Sequence, residues 1–155
     1  MNLVLLSYNY PPDLSAGSFR SKALVDQLCK DLETDESLFV ITTQPNRYDS
    51  YRAKTKSFSQ DGNVGLYRIN IPQHANNWLI QIWGFLIFFF KSFFILRKIK
   101  PDFIICTTGR HMTSTITYIF SLIFNVNYFV DFRDIFSEAI SEIYSKKNKF
   151  LSAFF

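Results

Sequence analysis

A chain of 155 residues suits one domain, or part of a larger protein, and a 48% hydrophobic content with 18 phenylalanines can fill a sizeable core. The formal net charge of +4 is too diffuse for a nucleic-acid partner, yet it suits an anionic substrate or a negatively charged membrane surface. Cys29 and Cys106 form no CxxC and no metal-ligand spacing, so no metal is expected; both read as buried thiols of a reducing, cytoplasmic compartment.

The first element, Asn2–Ser7, holds the continuous apolar run Leu3-Val4-Leu5-Leu6 of a strand covered on both faces. That run is too short for a signal peptide and no basic region precedes it, which argues against secretion. Ser15 to Leu32 follows as a helix, with Phe19, Leu24, Val25, Leu28, Cys29 and Leu32 as its apolar stripe. Ser37–Thr43 is the second strand. Residues 44–63 are polar and turn-rich and read as an exposed loop.

Val64 to Ile71 alternates and reads as the third strand, ended by Pro72. A long apolar helix from Asn76 to Lys100 stops at Pro101. Asp102 to Thr108 is the fourth strand, His111–Phe124 another apolar helix, and Val126 to Phe132 the fifth strand. From Arg133 to Lys147 a further helix is expected, striped by Ile135, Phe136, Ala139, Ile140 and Ile143. This alternation predicts an α/β fold with a doubly wound, mostly parallel, Rossmann-like sheet. The chain stops in apolar sequence at Phe154-Phe155 without a capping signal, and a truncated or split protein is the expectation.

Within 78–96, 15 of 19 residues are apolar and only Lys91 is charged, which nearly reaches the length of about 20 residues that spans a bilayer. Gln81, Gly84, Lys91 and Ser92 interrupt the run, and a β-α-β context needs the helix as a crossover. Arg97, Lys98 and Lys100 at its end suit both the helix dipole and anionic headgroups. A partly membrane-facing crossover stands ahead of a purely buried helix and of a true span.

In open parallel sheets ligands sit beyond the carboxyl ends of the strands, here the loops 7–15, 44–50, 107–111 and 131–138. The first loop, SYNYPPDLSAGSFR, carries neither a dinucleotide nor a P-loop glycine pattern; a nicotinamide-dependent oxidoreductase is disfavoured and no cofactor is expected. Gly17 and the helix start offer free N–H groups, and Arg20 can add a fork of donors toward an anion. The plainer alternative is Ser15 as an N-cap and Arg20 as a solvated surface residue.

After the fourth strand, Thr107, Thr108, Gly109, Arg110 and His111 gather hydroxyls, a cation and a titratable ring; His111 is either an acid–base group or a surface residue. After the fifth, Asp131, Arg133, Asp134 and Glu138 form the densest polar cluster, with Asp131 expected to pair with Arg133. That cluster is either a salt-bridged strand end, with Asp134 capping a helix, or a set of hydrogen-bonding groups for sugar hydroxyls or a pyrophosphate.

Three segments taken together resemble one family. SYNYPPDLSAGSFRSKALVDQL is similar to the opening of bacterial family 4 glycosyltransferases of the GT-B type, the colanic-acid and O-antigen enzymes. KIKPDFIICTT resembles their Lys-x-x-Pro-Asp-x-Ile strand, and FVDFRDIFSEAI their segment after the next strand, with Phe136-Ser137-Glu138 in place of Trp-Pro-Glu. The resemblance covers almost the whole chain in the family's order. It departs from the family at Ala16-Gly17, where Gly-Gly or Gly-Ala is frequent, and nothing matches the donor domain with its Glu-x7-Glu region.

The resemblance implies a retaining transfer of sugar from a nucleotide-sugar to a lipid-linked or polysaccharide acceptor in surface polysaccharide synthesis. Residues 1–155 would be the acceptor-side amino-terminal domain, with the carboxy-terminal donor domain absent and this chain inactive alone. Asp13, Ser15, Gly17, Arg20, Thr108, Arg110, His111, Asp131, Arg133, Asp134 and Glu138 would face the cleft as substrate-binding residues. The location implied is cytoplasmic, peripheral at the inner face of the plasma membrane through residues 78–100. The alternative is a non-catalytic subunit that recruits a separate donor-binding chain to the membrane.

Overall fold

The structure, a computed structural model, describes residues 1–45, 55–72, 78–108 and 111–132. Six strands, β1 (Asn2–Ser7), β2 (Ser37–Thr43), β3 (Phe58–Asp61), β4 (Val64–Ile69), β5 (Phe103–Thr108) and β6 (Asn127–Phe132), form one sheet in the order β3-β4-β2-β1-β5-β6. All pairings are parallel except that of β3 with β4. Helices α1 (Ala16–Asp31), α2 (Trp78–Ile99) and α3 (His111–Phe124) make the crossovers. The chain leaves β1 toward one sheet edge and β5 toward the other, so the doubly wound sheet has its switch point between these two strands.

The two faces have separate cores. On one, Leu3, Leu5, Leu38, Val40 and Ile105 pack against Val25 of α1. On the other, Val4, Leu6, Ile41 and Ile104 meet Phe88 and Leu96 of α2 and Ile116 and Phe120 of α3. Phe120 is fully buried, with its ring stacked 5.0 Å from that of Phe89. Burying such side chains contributes roughly 1.5–3 kcal/mol each.

The helix ends follow local chemistry. Ser15 caps α1 and accepts the Ser18 N–H. Beyond α2, Lys100 turns left-handed at φ 55° and its N–H donates to the Leu96 carbonyl before Pro101. Asn125 ends α3 in the same conformation, at φ 51°.

Three expectations change. The stretch 44–63 contains a strand: β3 forms a hairpin with β4 over the two-residue loop Gly62-Asn63, where Gly62 takes φ 54°. Phe19 is not part of the α1 core stripe but 60% exposed, because the first turns of α1 face the sheet through Ser18 and Ser21. Cys106 is buried as expected, whereas Cys29 is only half-buried, on the flank of α1.

Helix α2 is the β4-to-β5 crossover, and it is the one helix among the described residues long and apolar enough to cross a membrane. It is not a purely buried helix: Leu79, Ile82, Trp83, Leu86, Phe90 and Phe94 are all exposed on its outer side. The inner side is seated on the sheet through Phe88, Ser92 and Leu96.

Candidate functional site at the carboxyl edge of the sheet

At the switch point a group of small hydroxyls joins three elements. Ser21 Oγ lies 2.7 Å from Ser7 Oγ at the end of β1 and 3.1 Å from Thr107 Oγ1 at the end of β5. Thr107 also donates to Ser7 at 3.1 Å, Ser7 donates to the Asn9 carbonyl, and Ser21 reaches the Gly17 carbonyl at 2.8 Å. All three side chains are buried, and they find their hydrogen-bond partners in one another and in the Asn9 and Gly17 carbonyls. Short side chains let the first turns of α1 come close to the strand ends; Ser15, Ser18 and Ser21, three residues apart, all lie on that buried side.

One turn further out, this close approach brings Arg20 to β6. Its Nε and Nη2 donate to the two carboxylate oxygens of Asp131 at 2.8 and 2.7 Å, a bidentate fork that closes over 111 residues of sequence. Asp131 was expected to take a cationic partner such as Arg133, which lies outside the described residues; among the described residues its carboxylate bridges to α1. Arg20 is 53% exposed, so the pair adds at most about 1 kcal/mol to stability while presenting a fixed guanidinium plane at the edge.

The loop between β1 and α1 is held from below. The Tyr8 carbonyl accepts Thr43 Oγ1 at 2.8 Å and Thr42 Oγ1 at 3.3 Å, and Arg68 donates to the Pro11 carbonyl at 2.9 Å. The Pro11–Pro12 peptide is cis. Asp13 is buried, and its N–H donates to the Tyr10 carbonyl. Tyr8 stands against α2, its ring 5.2 Å from Phe85 and 5.5 Å from Phe88.

Of the expected site residues, Asp13, Ser15, Gly17, Arg20 and Asp131 are thus gathered around one end of the sheet, with Ser15 in its capping role. Thr108 ends β5 and His111 starts α3, so both backbones belong to the same edge. Arg110, Arg133, Asp134 and Glu138, and the side chains of Thr108 and His111, lie outside the described residues. Ser7, which opens the expected loop 7–15, is there as well, whereas Ser21 was not foreseen; the Ser15-Ser18-Ser21 spacing is the signal that marks it.

A hollow of about 880 Å³ lies beside α1, between Val25 and Cys29 on the helix and Leu66 and Arg68 of β4, with Tyr10 and Pro11 at its rim. Burial, helped by the nearby Asp26 and Cys29, pushes the Tyr10 phenol up to about 12, against the opposing pull of Arg68. Burial likewise raises the Cys29 thiol. Both groups stay protonated at neutral pH. Cys106, under α3, is pushed up to about 11 mainly by burial, with a hydrogen bond from Thr117 acting the other way. Among the described residues no cluster of His, Cys, Asp or Glu could hold a metal ion. The edge therefore offers the start of α1 and an exposed, braced guanidinium, groups that bind anionic or hydroxyl-rich ligands by hydrogen bonding, above a layer of buried hydroxyls that fixes α1 in place.

No family model matches the chain, and no curated protein matches it. Solved structures do. A sucrose-phosphate synthase from Thermosynechococcus elongatus superposes with a TM-score of 0.63 at 9% identity, over 87% of this chain and 33% of its own. The C-terminal domain of a Pyrococcus furiosus hydrogenase matches at 0.51 and 8% identity, over 84% of this chain and 90% of its own. A UGT transferase from Siraitia grosvenorii, solved with UDP, matches at 0.50 and 9% identity, over 85% and 28%. This chain spans about a third of the synthase. At such identities the likeness is one of fold: the Rossmann-like α/β architecture that GT-B glycosyltransferases use.

Proposed function

We propose that the chain is the acceptor-side part of a glycosyltransferase that moves sugar from a nucleotide-sugar to a lipid-linked or polysaccharide acceptor. The observation that carries this reading is the Arg20–Asp131 fork at the carboxyl edge, braced beside the buried hydroxyls of Ser7, Ser21 and Thr107. Asp131 fixes the guanidinium, and the remaining N–H donors of Arg20 meet acceptor hydroxyls or phosphate. Two of the fold neighbours are sugar-transferring enzymes, which supports the class. The family resemblance supports a retaining reaction in surface polysaccharide synthesis, with the nucleotide-sugar held by a domain beyond these residues. The exposed apolar side of α2 supports a place at the cytoplasmic face of the membrane.

The test is transfer by the full-length gene product across a panel of nucleotide-sugars. Arg20→Ala and Asp131→Asn are each expected to cut transfer about ten- to a hundredfold, the worth of a charge-assisted hydrogen bond, while lowering the melting temperature by no more than about 4 °C. His111→Ala runs beside them. Full activity in the Arg20 and Asp131 variants defeats the site. The same exposed side of α2 favours one second reading, a non-catalytic subunit that brings a donor-binding chain to the bilayer. It predicts membrane binding with no transfer until that chain is added.

A further inference from the structure

Between the amino-terminal halves of α2 and α3 runs a groove of about 500 Å³, lined by Ile82, Phe85, Leu86 and Phe89 on one side and Ile116 and Ile119 on the other. Its walls are almost wholly hydrocarbon, and it falls in the size range of small-ligand cavities, roughly 300–1,000 Å³. The surface around it is also apolar. On α3, Met112, Leu122 and Ile123 are each at least half exposed, and on α2 so are Trp83, Phe90 and Phe94. Contiguous apolar surface of this kind marks an interaction site.

Charge identifies the occupant. From Trp78 to Phe124 the sequence holds a single acidic residue, Asp102, and that carboxylate accepts the Asn2 N–H at the amino edge of the sheet, just beyond the end of α2. Arg97, Lys98 and Lys100, all exposed, close the carboxyl end of α2 in line with its apolar outer side. A second copy of this face would bring those cations only an Asp102 already bonded to its own Asn2, whereas an anionic bilayer brings both hydrocarbon and phosphate. The inner side of α2 is committed to the sheet, so the helix lies along the surface rather than through it.

We infer that the outer sides of α2 and α3 seat in an anionic monolayer and that the groove between them takes up one hydrocarbon chain of a bilayer lipid. The groove runs along the first turns of both helices, which begin at the carboxyl edge. Phe85 lines it while its ring packs on Tyr8, the residue after Ser7, so one aromatic layer separates the lipid chain from the candidate site. This deepens the acceptor reading above, on which it rests for its biological sense: a lipid held there lies at the end of the sheet where Arg20 and Asp131 meet.

Vesicles of phosphatidylcholine and phosphatidylglycerol with brominated acyl chains test it, because Trp78 and Trp83, the only tryptophans, both lie at the groove end of α2. Tryptophan quenching by the bromolipids is expected, and native mass spectrometry of the detergent-extracted chain should show one phospholipid bound. Leu86→Asp and Ile119→Asp should remove the bound lipid. Leu122→Asp, on the outer side of α3 away from the groove, should keep it. Replacing Arg97 and Lys98 together with Gln should weaken binding to anionic vesicles about thirty-fold and leave neutral vesicles unaffected. Circular dichroism confirms that each variant is folded.

Absence of quenching and of bound lipid overturns the proposal. So does a lipid-independent dimer that Leu86→Asp dissolves, which would make the face a contact between copies. Lipid capture is read without sugar transfer. A chain that binds lipid yet tolerates Arg20→Ala retains the groove and loses the transferase site, and the converse result does the opposite.

Discussion

Helices α1 and α2 both cross between parallel strands of one sheet, and they meet it through opposite chemistry. The first turns of α1 approach through serines, and its outer side carries Lys22, Asp26 and Lys30. Lys22 and Asp26 are paired one turn apart. By contrast α2 is apolar inside and out, with Phe88 and Leu96 on the sheet and Trp83, Phe90 and Phe94 outward. A helix apolar all round is ordinarily covered on all sides. The difference separates two tasks. Small polar contacts fix α1 at a set distance and direct Arg20 toward Asp131, while bulky contacts anchor α2 and leave a second apolar surface.

The contrast is open to breaking at several points. The largest effect is expected inside the apolar side. Phe120→Ala removes a fully buried ring and should cost about 3–5 kcal/mol in urea denaturation. Leu122→Ala, 63% exposed two residues later, should stay within about 0.5 kcal/mol in water. Equal losses at both sites would mean that the outer side of α3 is covered within the fold.

Next comes alkaline titration. Cys106 and Tyr10 are held neutral in the folded chain, so their contributions are complete below the unfolded pKa values and fade as pH rises. For Cys106 the loss runs between pH 9 and about 11, and for Tyr10 between pH 10 and about 12, on the order of 2 kcal/mol each. Cys106→Ala should flatten the lower part of that decline and Tyr10→Phe the upper part. A stability profile flat to pH 12 would contradict the burial of both.

Ser21→Ala removes one hydroxyl neighbour of Ser7 and Thr107, which keep the Asn9 carbonyl and each other as partners, and should cost about 1 kcal/mol by thermal denaturation. No loss would mean that α1 does not depend on the hydroxyl cluster for its seat. The smallest effect on stability belongs to the exposed fork. Arg20→Ala should change unfolding by about 1 kcal/mol or less while still lowering transfer. A double-mutant cycle with Asp131→Asn measures their coupling directly.

Much of this arrangement was legible in the sequence. The range His111–Phe124 is the helix observed, because an apolar stripe lies between two strong strand signals. The second strand, Ser37–Thr43, likewise agrees residue for residue. Strand β3 escaped because an exposed edge strand of four residues, Phe58–Asp61, has no apolar alternation, although the Asp61-Gly62 pair that follows is a hairpin signal. Arg20 and Asp131 were each singled out, but their bond was not, because local spacing carries no information on partners 111 residues apart. Only the strand order brings α1 beside β6. The outward apolar side of α3 was equally hidden, since the sequence of a covered helix and of a lipid-facing one reads alike.

The strand order has a mechanical consequence. Strand β1 is laddered to β2 on one side and β5 on the other, so a pull along it loads both parallel ladders in shear. Strand β3, at the margin, pairs with β4 alone and can be peeled away one bond at a time. Ser7 and Thr107 hang from the two central strands that part last under load. Strain arriving from the β3 hairpin is therefore dissipated at the margin before it reaches the edge where Arg20 and Asp131 meet.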